Sequence, residues 1–165
     1  MIALYCADSQ ASFWVEEMRS LMGNKPVVFF WWHQSPDGRE ETVERLREQL
    51  KETGFFPVYV KSGSVIYAFT VVDFFYNGGK PILELPQGVR ERWLKSYELA
   101  FPWQLAAAGC REALAKVFEK WKEEEKNSVT TVPRILFAVS AVFEVPEVKK
   151  IKDWAIYTRL GVVEV

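Results

Sequence analysis

Val27-Val28-Phe29-Phe30-Trp31-Trp32-His33 decides the fold: it is apolar on both alternating faces, as a central strand covered on each side would be. Gly23-Asn24 and Lys25-Pro26 stop and turn the chain before it, and Ser35-Pro36-Asp37-Gly38 turns it afterwards. Successive side chains on a strand point to opposite faces, so Trp31 and Trp32 must occupy separate environments. One of the two indoles can be core while the other lines a binding site.

Working outward toward the N-terminus, Ile2 to Ala7 reads as a short strand. Asp8-Ser9-Gln10 then offers a cap for a helix from about Ala11 to Met22, with Trp14, Met18, Leu21 and Met22 on one face. On the other side, Val43, Leu46 and Leu50 line a charged helix that Gly54 closes. Phe55 to Lys61 and Ser64 to Phe74 form two strands joined at Ser62-Gly63. The resulting order, β-α-β-α-β-β, predicts an α/β (α+β) domain whose mixed sheet is curled or barrel-like, with helices packed around it.

Beyond the loop Tyr76 to Pro81, Ile82 to Leu85 reads as a short strand and Val89 to Leu99 as a helix. Phe101-Pro102-Trp103 interrupts, and a long amphipathic helix follows from about Leu105 to Lys126. Pro133 breaks the chain before a strand over Ile135 to Val145. Pro146 to Lys152 is a basic connection, and Trp154 to Thr158 adds a last strand. No internal repeat or low-complexity linker divides the chain, so residues 1–165 are expected to form one domain, with a helical insertion at about 76–129.

The chain has 165 residues, 49% of them hydrophobic, enough for one sizeable core. Lys plus Arg number 21 against 22 Asp plus Glu, so a net charge of -1 gives no global attraction to a polyanion, and any nucleic-acid contact must use a local patch. Seven tryptophans supply core volume and also flat surfaces for stacking. Cys6 and Cys110 are far apart and without partners at metal-ligand spacing, which suits idle thiols in a reducing compartment. The first residues lack a basic leader, and no stretch approaches a membrane span, so the expectation is a soluble, cytoplasmic protein.

No glycine loop for phosphate, nucleophile motif or metal cluster is present, and no cofactor is expected. The lone histidine, His33, has the ordinary role of a hydrogen bond at a strand end. Glu16-Glu17 and Glu40-Glu41 diverge by ~100° on a helix and cannot clasp one substrate together. Asp8 and Ser9 follow the first strand, where they can cap a helix or meet the edge of a base. Lys61, Arg90, Arg92, Lys95, Lys149, Lys150 and Lys152 are the local cations for phosphates, against the default of a solvated surface.

The text resembles the PUA-like superfamily and, within it, the YTH and EVE branches of modified-base readers. The resemblance rests on a strand ending Ala7-Asp8-Ser9, a helix, the strand ending Trp31-Trp32-His33-Gln34-Ser35, a second helix, and the hairpin from Val58 through Ser62-Gly63-Ser64 to Phe69. It covers roughly Met1 to Phe74, with a weaker echo at Ile135 to Val145. It implies that Trp31 or Trp32 forms a wall of an aromatic cage, that the main chain at Trp32 or His33 meets a methylated amine, and that Asp8 with Ser9 reads the base edge. Phe137 and Val139 stand where such domains carry a second cage tryptophan, which leaves the far wall to Trp14, Trp93 or Trp103.

With its insertion, the chain looks most like the N-terminal specificity domain of McrB-type subunits of modification-dependent restriction systems. The resemblance then implies a non-enzymatic DNA-binding domain that flips a methylated base, foremost N6-methyladenine, into the cage. Its partners would be methylated double-stranded DNA, a fused AAA+ GTPase domain and a nuclease subunit. The alternatives are a reader of 5-methylcytosine or of modified RNA, and an ASCH-like amidohydrolase of modified nucleosides with Lys61 as its first candidate.

Overall fold

The computed structural model describes residues 1–9, 11–23, 26–82, 85–96, 123, 133–154 and 159–165. Strand β1 (Ile2–Ala7) is followed by helix α1 (Ala11–Met22), β2 (Val28–Trp32), α2 (Arg39–Thr53), β3 (Phe56–Ser62) and β4 (Val65–Tyr76). Helix α3 (Gln87–Ser96), β5 (Ile135–Val145) and β6 (Gly161–Glu164) complete the described elements. The expected order β-α-β-α-β-β therefore holds through β4. The expected long helix over Leu105 to Lys126 lies outside the described residues, Glu123 excepted.

Local chemistry accounts for the boundaries. Gly54 ends α2 in the left-handed region at φ 83°, and its N–H donates to the Leu50 carbonyl. Glu40 and Glu41 sit in the first turn of α2 and Lys51 in its last, each on the favourable side of the helix dipole. Ser62 pairs with Val65, so the β3–β4 hairpin turns on Gly63-Ser64, with Gly63 at φ 61°.

The chain forms a mixed α/β fold on one six-stranded sheet, in the order β2-β5-β4-β3-β1-β6. β1 and β3 are parallel; the other adjacent pairs are antiparallel. The inner face carries Leu4, Cys6, Val58, Val60, Phe69, Phe137, Val139, Phe30 and Trp32, packed with Val15 and Met18 of α1 and Val43 and Leu46 of α2. On the outer face, Val27 and Phe29 join Leu136 and Ala138 against Ile82, Leu85 and Trp93.

Double-sided burial made β2 read as a central strand, yet β2 stands at an end of the sheet and pairs only with β5 among the described residues. Its second apolar face is covered by α3 and the segment before it, not by further strands. A covered edge strand and a central strand carry the same sequence pattern, because each loses both faces to the core.

The sheet is not closed, so the barrel form of the expectation is not met. It does curl. Register shifts at Thr70/Val71 and Val71/Asp73 kink the β4–β5 ladder. The chain leaving β2 then reaches the chain entering β6 through one parallel bridge, Pro36 to Leu160. The Asp37 N–H donates to the Leu160 carbonyl at 2.9 Å, and Arg159 pairs with the Asp37 carboxylate.

The last strand forms at Gly161–Glu164, later than the expected Trp154 to Thr158; residues 155–158 lie outside the described set. Ile82 and Leu85 are in no strand, and Ile82 instead gives its N–H to the Pro133 carbonyl. Among the described residues, no helix is long and apolar enough to cross a membrane.

Candidate functional site

The unclosed seam of the sheet brings together residues that the sequence separates. Gly161 pairs with Tyr5 on β1, and the adjoining Leu160 bridges Pro36. Because β6 runs antiparallel to β1 and the Pro36 bridge is parallel, moving back from Pro36 toward His33 is moving forward along β1 toward Asp8. The ends of β1 and β2 therefore face each other across the seam. The electrostatics agree, since His33 feels the Asp8 carboxylate.

On the β1 side, the turn that carries Asp8 is tied down from below. The Asp8 N–H donates to the Lys61 carbonyl at 2.9 Å, and the Asp8 carbonyl accepts the Ala11 N–H at 3.1 Å. A directed chain of hydroxyls follows: Tyr67 donates to Ser12 Oγ, Ser12 to Ser62 Oγ and Ser62 to the Ser9 carbonyl, each at 3.2 Å. Ser9 thus acts here through its main chain, while its side chain is exposed.

On the β2 side, alternation separates the two indoles as the strand pattern requires. Trp32 joins the inner cluster and Trp31, half-buried, the outer one. The Trp32 ring lies 4.8 Å from the His33 imidazole, tilted by 38°. Its carbonyl accepts the Arg134 N–H at 2.8 Å, which places the start of β5 at the same corner. Trp32 is only 6% exposed, and its Nε1 meets no hydrogen-bond partner among the described residues. Nη1 of Arg134 is likewise buried without one.

Burial lowers the pKa of His33 from its ordinary value; the Asp8 carboxylate opposes this and the Arg134 guanidinium adds to it. The imidazole is therefore neutral at pH 7, one nitrogen donating and the other accepting. Burial also pushes the Cys6 thiol well up, with Asp8 adding to it, so Cys6 is an inert core thiol.

The remaining candidates scatter. Lys61 pairs with Ala7, beside the seam, and its ammonium lies 5.9 Å from the centroid of the Trp154 ring. Lys149 and Lys150 are exposed in a turn. Lys150 belongs to the far end of β1: the Glu164 carboxyl, held below its usual range chiefly by the Arg45 hydrogen bond, also feels Lys150, and Glu164 pairs with Ile2. The side chains of Trp14 and Arg90 lie outside the described residues, as does all of Trp103. Trp93 is no wall of the seam: it is fully buried against Phe29 in the outer cluster, its Nε1 donating to Asp73 at 2.9 Å.

The seam residue that sequence reasoning missed is Arg134. Its signal was weak but present, a cation between Pro133 and a wholly apolar strand start. Among the described residues, no group of His, Cys, Asp and Glu side chains can hold a metal ion. Comparison with known proteins gives no match, whether to a family model, a curated protein or a solved structure.

Proposed function

We propose that this domain is a PUA-like, YTH/EVE-type reader that binds DNA at a methylated base, foremost N6-methyladenine, taken out of the duplex and held at the seam. The observation that carries the reading is that the ends of β1 and β2 lie at the same seam, with Asp8 near enough for its charge to act on His33, whose ring lies 4.8 Å from Trp32. An acceptor, a buried indole and a neutral imidazole at one corner match what a planar, amine-bearing ring requires.

In this reading His33 supplies the stacking side, Trp32 closes the corner with the edge of its ring, and Asp8 accepts from the exocyclic amine. Trp31, on the outer face, serves packing. Stacking contributes ~1–3 kcal/mol per base and offsets part of the few kcal/mol spent on extrusion. Lys61, close to Asp8, is the best placed of the cations for a flanking phosphate, whereas Lys150 is remote from it. A fused AAA+ GTPase and a nuclease subunit would complete the McrB-type system of which such a domain is the specificity part.

The test is a titration of the wild type, Trp31→Ala and Trp32→Ala with duplexes carrying N6-methyladenine, 5-methylcytosine or no modification. Preference for N6-methyladenine, lost in Trp32→Ala and kept in Trp31→Ala, is the expected result. Equal affinity for methylated and unmethylated duplexes would sink the proposal. Preference for 5-methylcytosine would keep the reader and replace its ligand.

A further inference from the structure

Trp32 Nε1 and Arg134 Nη1 are the buried side-chain nitrogens left without a partner among the described residues, and both belong to the same corner. Elsewhere among the described residues, buried side-chain nitrogens and oxygens have partners. Trp93, the other tryptophan described as buried, gives its N–H to Asp73 at 2.9 Å. Gln49 uses both ends of its amide on Ile2, at 2.9 and 3.0 Å. A buried donor without an acceptor costs stability, and two on residues whose main chains are bonded to each other mark a corner prepared for something else.

We infer that Trp32 Nε1–H and the Arg134 guanidinium are held for hydrogen-bond acceptors on the bound base, so that the seam reads ring nitrogens or carbonyl oxygens as well as the methyl group. This deepens the base-reading proposal and rests on it. The chemistry is one-sided: an indole and a guanidinium can only donate, so neither can meet an amine. The carboxylate of Asp8 can only accept, and it lies across the seam on the β1 side. A base is thereby oriented, with its amine toward Asp8 and its acceptors toward Trp32 and Arg134.

The arrangement also separates two properties that usually move together. Deleting a donor that is unsatisfied in the free protein relieves a cost of folding, while deleting it from the complex removes a hydrogen bond. A structural donor would show the opposite pattern.

The experiment replaces Trp32 site-specifically by 3-benzothienylalanine, which keeps the bicyclic shape but has no N–H, and makes Arg134→Met separately. Melting temperatures of the free proteins are compared, together with fluorescence anisotropy titrations against duplexes carrying one N6-methyladenine or one 5-methylcytosine. The expected result is a melting temperature unchanged or raised in the benzothienyl variant. Affinity for the preferred methylated duplex falls about tenfold or more in each variant, the scale of one buried hydrogen bond. Wild-type affinity in both variants overturns the inference and leaves the reader standing. A lowered melting temperature in the benzothienyl variant also overturns it, because Nε1–H is then committed within the fold. A wild type that binds no methylated duplex removes the base-reading proposal itself, and this inference with it.

Discussion

The Tyr5 ring lies across Gly161 so closely that a Cβ placed on Gly161 would fall 2.4 Å from its Cζ. This contact joins β1 to β6 at the level where the seam begins, and Tyr5 also meets Trp154 edge-on at 5.7 Å. Gly161→Ala should therefore destabilise the domain by about 1–3 kcal/mol through overpacking. Urea denaturation measures it. Adding Tyr5→Ala should recover part of the loss, which an effect on the backbone alone would not allow.

Gln49 reaches from α2 to the first residue of β1, accepting the Ile2 N–H and donating to the Ile2 carbonyl. Gln49→Leu keeps the bulk and abandons both groups. A loss of about 1–3 kcal/mol in the same denaturation experiment is expected, that being the cost of orphaning buried backbone groups. A neutral result would mean that water reaches Ile2.

His33 gives the protein a pH dependence of known sign. Its folded pKa lies below the ordinary value, chiefly through burial, so the unfolded chain takes up the proton first. The stability contribution is fully present above the unfolded value of about 6.5 and is lost as pH falls from there through the lower folded value. Melting temperatures between pH 8 and pH 5 should fall more in the wild type than in His33→Gln. Parallel curves would mean that the imidazole titrates as it does in water. The chain has one histidine, so no second imidazole clouds the comparison.

Trp93 supplies the contrast to Trp32. Its indole N–H meets the Asp73 carboxylate, which Arg92 also engages at 3.1 Å. Trp93→Phe should cost about 1.5–3 kcal/mol for the charged hydrogen bond, with a further loss for the vacated volume. Thermal unfolding of this variant, beside the benzothienyl substitution at Trp32, distinguishes a committed indole from an uncommitted one.

Much of the architecture was legible because its signals are local. The limits of β1, α1 and the strand Ile135–Val145, and the left-handed cap at Gly54, are all decided by neighbours within a few residues. The position of β2 was not legible, since periodicity reports burial and says nothing about which element covers a face. The strand at Gly161-Val162-Val163-Glu164 was not legible, because so short a stretch carries little pattern of its own. That short edge is specified by its pairing with Ile2 to Tyr5.

The site divides in the same way. Asp8 and the Trp31-Trp32 pair were visible as residue types at element ends, and alternation required the two indoles to part. Which of them stands beside His33 depends on the direction in which the sheet curls, set by the bulges in β4 and β5 and by the Pro36–Leu160 bridge. Arg134 gave only a weak signal for the same reason, being drawn to the corner by its main-chain bond to Trp32.

The hydroxyl chain from Tyr67 through Ser12 and Ser62 to the Ser9 carbonyl runs in one direction, each oxygen spending its single proton on the next. None of the links can be reversed alone, because the terminal carbonyl can only receive. A phenol on the fourth strand and the turn after the first are thus coupled as a linkage is coupled in a machine, and removing the Tyr67 oxygen would be felt as play in the bearing that carries Asp8.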